Sequence, residues 1–390
     1  MTSSGSFSVA GLFAGIGGFE LGLQGSAART DLLCEWSEPA QAVLRARFPG
    51  VPVVGDVREV DRLPDVDVVT AGFPCTDLSQ AGRTRGITGE ASGLVSEVFR
   101  LLRARRAAVV VMENVRNMLV LDQGAAMRFL VDELELLGYR WAYRVVDSRF
   151  TGVPQRRQRV VLVASTEIDP RAVLFADDAG EPPNDSLADT AFGFYWTEGR
   201  TGVGWAKDAI PTLKPGSTIG IPSPPAIWNP AGAPGRSIVT PDIDDAEALQ
   251  GFPRGWTSPA GAISKRSGTR WKLVGNAVTV GVSRWVGERL AAPGLLMADC
   301  AALPDGSRWP TAAFGFSGEV WAVDVSMWPS RAPYQHLADI VDLAVAPALS
   351  ARATSGFLGR ARSSRLKFVD EFIADVDAHA AAMAGARAAA

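Results

Sequence analysis

The chain has 390 residues, of which 47% are hydrophobic and 21% are charged, and its formal net charge is −3. This is the composition of a folded globular protein, and the length suffices for two domains or for one large domain with a satellite. The balance of charges excludes an overall basic field, so any contact with nucleic acid must come from local patches.

The cysteines and histidines argue against a disulfide framework and against a metal centre. Cys34, Cys75 and Cys300 are odd in number, widely spaced and in no C-x-x-C pattern. His336 and His379 are too few for a histidine-based metal site. The N-terminus has no cationic signal region, and no stretch approaches the roughly 18 apolar residues of a membrane span. We therefore expect a cytoplasmic protein without a metal.

Residues 1–165 alternate short apolar runs with stretches of helical spacing. Such alternation is typical of strands joined by helices, which form a mostly parallel sheet covered on both faces. We therefore predict an α/β fold with a doubly wound, Rossmann-like sheet. The predicted strands are Phe7–Phe13, Leu32–Trp36, Val66–Ala71, Ala107–Met112 and Val160–Ala164, and the clearest predicted helices cover 94–104 and 126–137.

Ligands of such sheets bind beyond the carboxyl ends of the strands. The glycine-rich turn of Gly15, Gly17 and Gly18 follows the first predicted strand, as in many nucleotide-cofactor sites, although such a turn also serves close packing. Glu35 ends the second strand, where an acid can accept hydrogen bonds from ribose hydroxyls. The indole of Trp36 offers a flat face to an adenine. These residues favour an adenosine-containing ligand.

Asp56 and Val57 follow the third apolar run and are candidates for contacts with the amine and the face of that adenine. The alternatives are a capping aspartate and a core valine. The glycine-rich turn is not followed by Lys-Ser or Lys-Thr, which excludes a P-loop.

Cys75 lies in the stretch TAGFPCTDLS, just after a predicted strand. Most isolated cysteines are small buried hydrophobes, but a turn fixed by Pro74 near a helix N-terminus would expose the sulfur and lower the pKa of the thiol. Glu113 follows the apolar run VVVM, where an acid is either paired with a cation or kept for acid/base work. A thiolate and a proton-donating carboxyl in one crevice favour nucleophilic addition to an electron-poor ring.

The segment QRRQR, residues 155–159, enters the last of these strands. Alternate residues of a strand share one side, so Arg157 and Arg159 would lie together. Two such arginines suit contacts with phosphates or base carbonyls, and the alternative is a solvated sheet edge.

Six motifs resemble, in order and spacing, those of the DNA (cytosine-5) methyltransferase family, over roughly residues 7–295. They are GLFAGIGGFELGL (11–23), GFPCTDLSQAG (72–82), MENVRNML (112–119), VPQRRQRVVLVAS (153–165), LQGFP (249–253) and VGNAV (274–278). The resemblance implies a catalytic domain over 1–175 that binds S-adenosyl-L-methionine, and a smaller, loop-rich target-recognition domain over 176–270. Residues 271–295 would return the chain to the catalytic domain, and 296–390 form an extension outside the family pattern.

The resemblance also implies the roles of individual residues. Cys75, Glu113, Arg157 and Arg159 would act on the target cytosine. With Val57 added from its position after the third run, the candidate cofactor contacts are Phe13, Gly15, Gly17, Glu35, Trp36, Asp56, Val57, Asn276 and Val278. The candidate substrate contacts are Pro74, Ser79, Gln155 and Thr212.

The implied reaction is methyl transfer from S-adenosyl-L-methionine to C5 of a flipped cytosine in double-stranded DNA. The sulfur of Cys75 would bond to C6, Glu113 would donate to N3, and S-adenosyl-L-homocysteine would be the product, with no metal required. We expect a monomer at the bacterial nucleoid, with a possible cognate restriction endonuclease. The alternatives are a tRNA cytosine-5 methyltransferase and a non-catalytic DNA-binding regulator with the same fold.

Two departures from the family pattern stand out. The acid usual before the first Leu-Phe is Gly11 here, and the arginines common before LQGFP are absent, with Asp244, Asp245 and Ala248 in that region. The second departure leaves open how the recognition domain is anchored.

Overall fold

The computed structural model describes residues 6–74, 93–183, 186–216, 222–296 and 298–389. The predicted site residues Cys75 and Ser79 lie outside this part of the chain. The chain divides into two compact units. Counted along the chain, the first unit comprises Met1–Thr151, Gln158–Glu181 and Ala277–Ala332, and the second comprises Gly152–Arg157, Pro182–Asn276 and Pro333–Ala390.

Five parallel strands form one half of a ten-stranded sheet in the first unit. They are β1 (Phe7–Leu12), β2 (Ala28–Cys34), β3 (Val53–Val54), β4 (Val68–Ala71) and β5 (Val109–Val115). Their order is β3-β2-β1-β4-β5. Because the chain continues from β1 to β2 on one side and returns to β4 on the other, the crevice beside β1 is the topological switch point at which ligands bind.

The other half of the sheet is antiparallel, whereas the sequence indicated a mostly parallel sheet. Strand β8 (Gln158–Ser165) pairs with β5, and β6 (Arg140–Asp147) pairs with β8. Beyond β6 lie β15 (Ala312–Phe316), β16 (Glu319–Val323) and β14 (Cys300–Ala302), in that order. Three strands of the predicted extension therefore widen the sheet of the first unit.

Arg144, on β6, holds the neighbouring segments. Its guanidinium is completely buried and donates to the main-chain carbonyls of Leu174, Asp177 and Ser326 at 2.7–2.9 Å. It also lies 2.7 Å from the carboxylate of Asp178. Burial lowers the pKa of Arg144 to about 10, and the Asp178 carboxylate opposes that shift. A buried guanidinium without these partners would be costly, so the segment around Ser326 is an integral part of this unit.

Helices cover both faces of the sheet. Strand residues alternate between two apolar cores, with Val68 and Val109 in one and Val69 and Val110 in the other, as the period of two requires. Helices Gly93–Ala104 and Ala125–Leu136 pack into one core, and Gly18–Gln24, Pro170–Leu174 and Val280–Ala291 pack into the other. Helix Glu38–Arg47 joins β2 to β3. The predicted doubly wound α/β fold is thus confirmed.

The second unit has short strands, as expected for a loop-rich domain. Its strands are β7 (Gln155–Arg156), β9 (Phe192–Phe194), β10 (Ala206–Lys207), β11 (Ile210–Pro211), β12 (Ala226–Trp228) and β13 (Ile238–Val239). Four of them form a sheet in the order β10-β9-β12-β13, and β7 pairs with β11. The helices are Ile243–Leu249, Ala260–Ile263, Gly268–Asn276, Leu337–Ile340, Ala351–Arg362 and Asp370–Ala389.

An aromatic core fills the second unit. Phe194 of β9 packs against Phe357 and Phe372 with ring centroids 5.1 and 5.0 Å away. These two rings come from the last long helices, so the end of the predicted extension completes this unit while its beginning joins the first. Among the described residues, no helix is both long enough and apolar enough to cross a bilayer.

Candidate active site

The backbone register brings the carboxyl ends of four parallel strands into one row. Leu12 pairs with both Cys34 and Ala71, and Ala71 pairs with Met112. The residues that come next along each strand are Phe13, Glu35, Gly72 and Glu113. The sequence-predicted residues of the first unit therefore share the edge of the sheet at which ligands bind.

The turn after β1 is a strained cradle. Phe13 has φ 55°, a left-handed conformation that is rare for a bulky residue and is concentrated at functional sites. Gly15 has φ 58°, and a Cβ placed on it would meet no atom of the described residues within 4 Å, so its backbone faces space that these residues leave open. A Cβ on Gly17 would instead overlap the ring of Phe48. Gly15 thus leaves room for a ligand, whereas Gly17 permits close packing at the start of the following helix.

Glu35 is oriented over this turn by main-chain donors. The amide of Gly15 donates to its Oε2 and the amide of Ser37 donates to its Oε1, each at 2.8 Å. The neighbouring Trp36 has 72% of its surface exposed, which is unusual for an indole. A fixed carboxylate and an exposed aromatic face therefore lie beside the cradle.

Asp56 and Val57 show the structural roles that were the alternatives to cofactor binding. The Asp56 carboxylate accepts a hydrogen bond from the amide of Arg58 at 3.0 Å and lies 2.6 Å from its guanidinium. These hydrogen bonds lower the pKa of Asp56. Val57 is buried in the apolar core that also contains Val69 and Val110. Contact of either residue with an adenine stays a prediction.

Glu113 ends its apolar strand against a cation. Arg159 Nε lies 2.9 Å from Glu113 Oε1, and both side chains are largely buried. The ion pair follows from strand register. Val115 of β5 lies opposite Arg159 of β8, and Glu113, two residues before Val115, is on the same face of the sheet and therefore diagonally next to Arg159. The guanidinium of Arg159 also donates to the carbonyl of Gln158 at 2.7 Å. Of the two roles predicted for Glu113, the structure shows the ion pair, and acid/base work stays a prediction.

Asn114 is a site residue to which the sequence analysis assigned no role. Its buried Nδ2 donates to the carbonyl of Phe73 at 3.1 Å, and its Oδ1 accepts from the amide of Val115 at 2.8 Å. Asn114 thereby fixes the backbone that leads through the exposed Pro74 toward Cys75 in sequence. The sequence feature that could have indicated a role for Asn114 is its position as a second polar residue at the end of an apolar strand.

The other cysteines do not suit nucleophilic chemistry at this edge. Cys34 is buried in β2, and burial, with a further contribution from the negative charge of Glu35, raises the pKa of its thiol to about 12. Cys300 is exposed on β14, the strand at one outer edge of the sheet. Within the described part of the chain, no cluster of three or more His, Cys, Asp or Glu side chains is arranged to hold a metal.

Glu20 explains the missing acid at Gly11. A Cβ on Gly11 would overlap the carboxylate of Glu20, which is fully buried beneath β1 and accepts a hydrogen bond from Thr70 Oγ1 at 3.1 Å. Burial raises the pKa of Glu20 to about 7, although hydrogen bonds from its own backbone and from Thr70 oppose that rise. The acid of this region therefore comes from the helix that follows the glycine-rich turn.

Gln155 and Arg157 are held inside the second unit. Gln155 is fully buried, donates to the carbonyl of Leu249 and accepts from the amide of Leu213, each at 2.9 Å. Arg157 is also buried and donates to the carbonyl of Gly275 at 3.2 Å. The QRRQR, LQGFP and VGNAV motifs therefore meet around these two side chains.

The remaining predicted site residues, Thr212, Asn276 and Val278, are divided between the two units. Thr212 donates from Oγ1 to the carbonyl of Arg156 at 2.9 Å within the second unit. Asn276 is exposed at the end of its helix in that same unit. Val278 belongs to the first unit, and its Cγ2 is 3.9 Å from the position of a Cβ on Gly72. Cofactor contacts by Asn276 and Val278 stay predictions.

The acids before LQGFP have partners of their own. Asp244 lies 2.7 Å from Arg270, and Asp245 lies 2.6 Å from Arg254. Glu247 is fully buried, accepts two main-chain hydrogen bonds and lies 2.9 Å from Arg270. In this chain the helix is thus anchored by its own carboxylates, with the arginines supplied by later residues.

Comparison with known proteins identifies the family. A model described as C-5 cytosine-specific DNA methylase matches residues 7–183. The type II methyltransferase M2.BsuMI of Bacillus subtilis (strain 168) is 47% identical over 378 residues, which cover 94% of this chain and 96% of that protein. The chain belongs to the C-5 cytosine-specific DNA methylase family.

Other similar proteins match shorter or more divergent regions of the methylase. The type II methyltransferase M.HhaI of Haemophilus parahaemolyticus is 33% identical over 154 residues, covering 39% of this chain and 47% of that protein. Among solved structures, the Dnmt2 methyltransferase of S. pombe matches with a TM-score of 0.55 and 14% identity, covering 72% of this chain and 98% of that one. At this identity the likeness shows the fold alone.

The methylase therefore acts on DNA. The predicted family and the predicted reaction, methylation of cytosine at C5 in DNA, are confirmed by these relatives. The reaction requires a methyl donor. The relatives do not favour the alternatives of a tRNA methyltransferase or a non-catalytic regulator.

Proposed function

We propose that the enzyme transfers a methyl group from S-adenosyl-L-methionine to C5 of a flipped cytosine in a specific double-stranded DNA sequence, through a covalent bond between Cys75 and C6. The observation that carries this proposal is the row of strand ends, which brings Glu35, Glu113 and the Phe73–Pro74 backbone to one edge of the sheet. A cofactor bound at Glu35 and a reacting base bound beside Glu113 and the Phe73–Pro74 backbone would share that edge.

The edge fits S-adenosyl-L-methionine by the chemistry of its groups. Gly15 leaves open space for a ligand, and Trp36 has an exposed ring for an adenine. A carboxylate accepts up to about four hydrogen bonds, so Glu35 can take ribose hydroxyls as well as main-chain donors. When bound, the cofactor supplies a methyl group on a sulfonium and leaves as S-adenosyl-L-homocysteine. The first-unit contacts we assign are Phe13, Gly15, Gly17, Glu35, Trp36, Asp56, Val57 and Val278.

Cys75 and Glu113 perform the proposed activation. The Cys75 thiolate adds to C6 while Glu113 donates a proton to N3, so the electron pair displaced into the ring makes C5 nucleophilic without leaving a charge. Arg159, whose Nε is 2.9 Å from the Glu113 carboxylate, orients that group. After methylation, a base or a water removes the C5 proton and N3 returns its proton to Glu113. The electrons of the C5–H bond re-form the C5–C6 double bond, and the C6–S bond breaks to release Cys75 as the thiolate.

We assign recognition of the target to residues 176–270, with Thr212, Gln155, Pro74 and Ser79 as substrate contacts. Arg157 would act on the target through the backbone of the recognition unit, because its guanidinium donates to the Gly275 carbonyl. A flipped cytosine is required because C5 and C6 are inaccessible within a stacked duplex.

The biological setting follows from the substrate. We infer that the enzyme works as a monomer on DNA in the bacterial cytoplasm, at the nucleoid. A cognate restriction endonuclease is the proposed partner, since M2.BsuMI and M.HhaI are type II methyltransferases.

The test is to incubate the protein with methyl-labelled S-adenosyl-L-methionine and genomic DNA, tRNA or no polymer. The proposal expects label at C5 of cytosine in DNA and none in tRNA, and bisulfite sequencing of the DNA then gives the recognition site. Label in tRNA alone, or label in neither polymer, would contradict it. Trp36→Ala and Glu35→Ala should each weaken binding of the cofactor, measured by calorimetry, and unchanged affinity in both would remove the assigned adenosine contacts.

A further inference from the structure

The second unit contains a cleft of about 440 Å³, which we name the cation–aromatic cleft. One wall is formed by Val203–Trp205 and the other by Leu366–Val369 with Phe372, and Arg156 also lines it. The volume lies in the range of small-ligand sites and suits one nucleotide unit. None of the proposed cofactor or catalytic residues within the described part of the chain lines this cleft.

Aromatic rings give the cleft a rigid apolar surface. Trp205 is partly buried and stacks on Phe192, with ring centroids 5.3 Å apart and an interplanar angle of 25°. It also meets Phe372 edge to face at 5.0 Å. Phe368 is partly buried and lies 5.8 Å from Phe372. Rings held in this way lose little freedom when a ligand packs against them.

The charged residues of the cleft are both cations. Arg156 donates to the carbonyl of Trp205 at 3.0 Å, which holds its guanidinium at the cleft, and there is no acid among the described residues that line it. Lys367 is exposed, and the ion pairs among the described residues do not include it. Other cations of the same region serve the protein itself, because Arg360 donates to main-chain carbonyls and Arg362 lies 3.0 Å from an aspartate.

We propose that the cation–aromatic cleft binds the sugar-phosphate backbone of the substrate DNA, with one phosphate between Arg156 and Lys367 and its deoxyribose against Trp205. The charge complementarity identifies a polyanion, and DNA is the polyanion on which this family acts. Arg156 lies between Gln155 and Arg157 in the QRRQR motif, so this contact would fix the duplex beside residues proposed to serve the target base. Lys367 and Phe368 give the C-terminal segment Pro333–Ala390 a role in holding DNA.

The test compares matched variants by fluorescence anisotropy with a labelled duplex that lacks the methylation site, over a series of salt concentrations. Lys367→Gln should weaken binding about five-fold and lower the slope of log affinity against log salt by about one, because one phosphate contact is lost. The control Arg365→Gln removes the same charge from an exposed residue of the same segment that does not line the cleft. It should change affinity less than about two-fold.

A second pair tests the cleft without removing any existing cation. Val369 lines the cleft and is 53% exposed, while Val345 is 75% exposed and does not line it. Val369→Asp should weaken binding about ten-fold or more through repulsion of the phosphate, and Val345→Asp should have little effect. Because both valines are exposed, neither change should disturb folding, and thermal unfolding checks this.

Equal losses within each pair would overturn the proposal, since they would show only a general effect of charge. Displacement of the duplex by deoxythymidine monophosphate or by short single-stranded DNA, lost in Lys367→Gln, would also overturn it in favour of a nucleotide or single-strand site. The proposed methyl transfer is judged separately, by incorporation of label into DNA by the unaltered protein.

Discussion

In the first unit, Phe13, Glu35 and Glu113 owe their positions to strand register, whereas in the second unit Gln155 and Arg157 are positioned by hydrogen bonds from their own buried side chains. At the strand ends, hydrogen bonds between main chains fix the backbone, and the side chains project from it. Around Arg157, hydrogen bonds from buried side chains hold together main-chain segments that are distant in sequence.

This difference predicts that substitutions at the two sets of residues affect activity and stability to different degrees. A side chain that projects from a paired strand can be changed with little effect on the backbone. A buried polar side chain that joins several segments leaves unsatisfied donors and acceptors when it is removed. Substitutions at the strand-end residues of the first unit should therefore reduce activity more than stability, and substitutions at Gln155 or Arg157 should reduce activity and stability together.

The largest effect should come from Glu113→Gln, which keeps the shape of the side chain but removes its acid. We expect kcat to fall by about 10²- to 10⁴-fold, the usual contribution of a positioned proton donor. The midpoint of thermal unfolding should fall only modestly, because the amide oxygen of glutamine can still accept a hydrogen bond from Arg159 Nε although the ion pair is lost. Glu97→Gln, which breaks a partly exposed ion pair with Arg100, is the control and should retain activity. A Glu113→Gln enzyme that keeps most of its kcat would contradict the assignment.

Arg157→Lys should show the opposite pattern in the second unit. A lysine cannot reproduce the planar guanidinium that donates to the Gly275 carbonyl, and the change leaves buried polar groups unsatisfied. We expect a loss of about 2–4 kcal/mol in the free energy of unfolding, together with reduced activity. Denaturant unfolding followed by tryptophan fluorescence measures it. Unchanged stability would mean that Arg157 does not organise this unit.

Gly275→Ala tests the same region through the backbone. A Cβ on Gly275 would lie 2.6 Å from the carbonyl carbon of Lys214, so main chain would have to move. We expect destabilisation by about 1–3 kcal/mol. The matched control is Gly359→Ala, on a helix where a Cβ meets no described atom within 4 Å, and it should stabilise the protein by about 0.5–1 kcal/mol. Similar effects of the two changes would refute this packing argument.

Glu20 should give the smallest effect, visible as a dependence of stability on pH. Its pKa rises from an ordinary 4.5 to about 7 in the folded protein, so the folded state binds the proton more tightly than the unfolded state does. Stability from this group is fully present below the unfolded value and is lost as the pH rises through the folded value. Between roughly pH 6 and pH 8 the loss should be about 1 kcal/mol.

The variant Glu20→Gln should remove this loss, because its amide does not titrate. Thermal unfolding of both proteins near these two pH values measures the difference. If the original protein and the variant respond equally to pH, Glu20 is not the titrating group.

The sequence predicted the strand-end residues of the first unit because short apolar runs mark buried parallel strands, and the register of β1, β2, β4 and β5 then follows. It did not predict the antiparallel strands β14–β16. Those depend on pairing between Ala312 and Arg144, residues far apart in sequence. The extension, predicted as a separate piece, is instead shared between the two units.

The sequence also did not predict the side-chain contacts in the second unit. The motif QRRQR indicated arginines on a strand, but no local sequence pattern predicts that Gln155 and Arg157 are buried against LQGFP and VGNAV. The cation–aromatic cleft joins Trp205 to Lys367 across more than a hundred intervening residues. Local patterns determine elements and their ends, whereas such contacts depend on tertiary packing.

The most direct test of the proposed chemistry uses duplex DNA with 5-fluorocytosine at the methylation site, incubated with the protein and S-adenosyl-L-methionine. Fluorine cannot leave as a proton does, so the bond between sulfur and C6 should persist as an adduct that survives denaturation. We predict that this adduct forms, that peptide mapping places it on Cys75, and that Cys75→Ala abolishes it. An adduct that still forms with Cys75→Ala, or one that maps to Cys34 or Cys300, would contradict the assignment of the nucleophile.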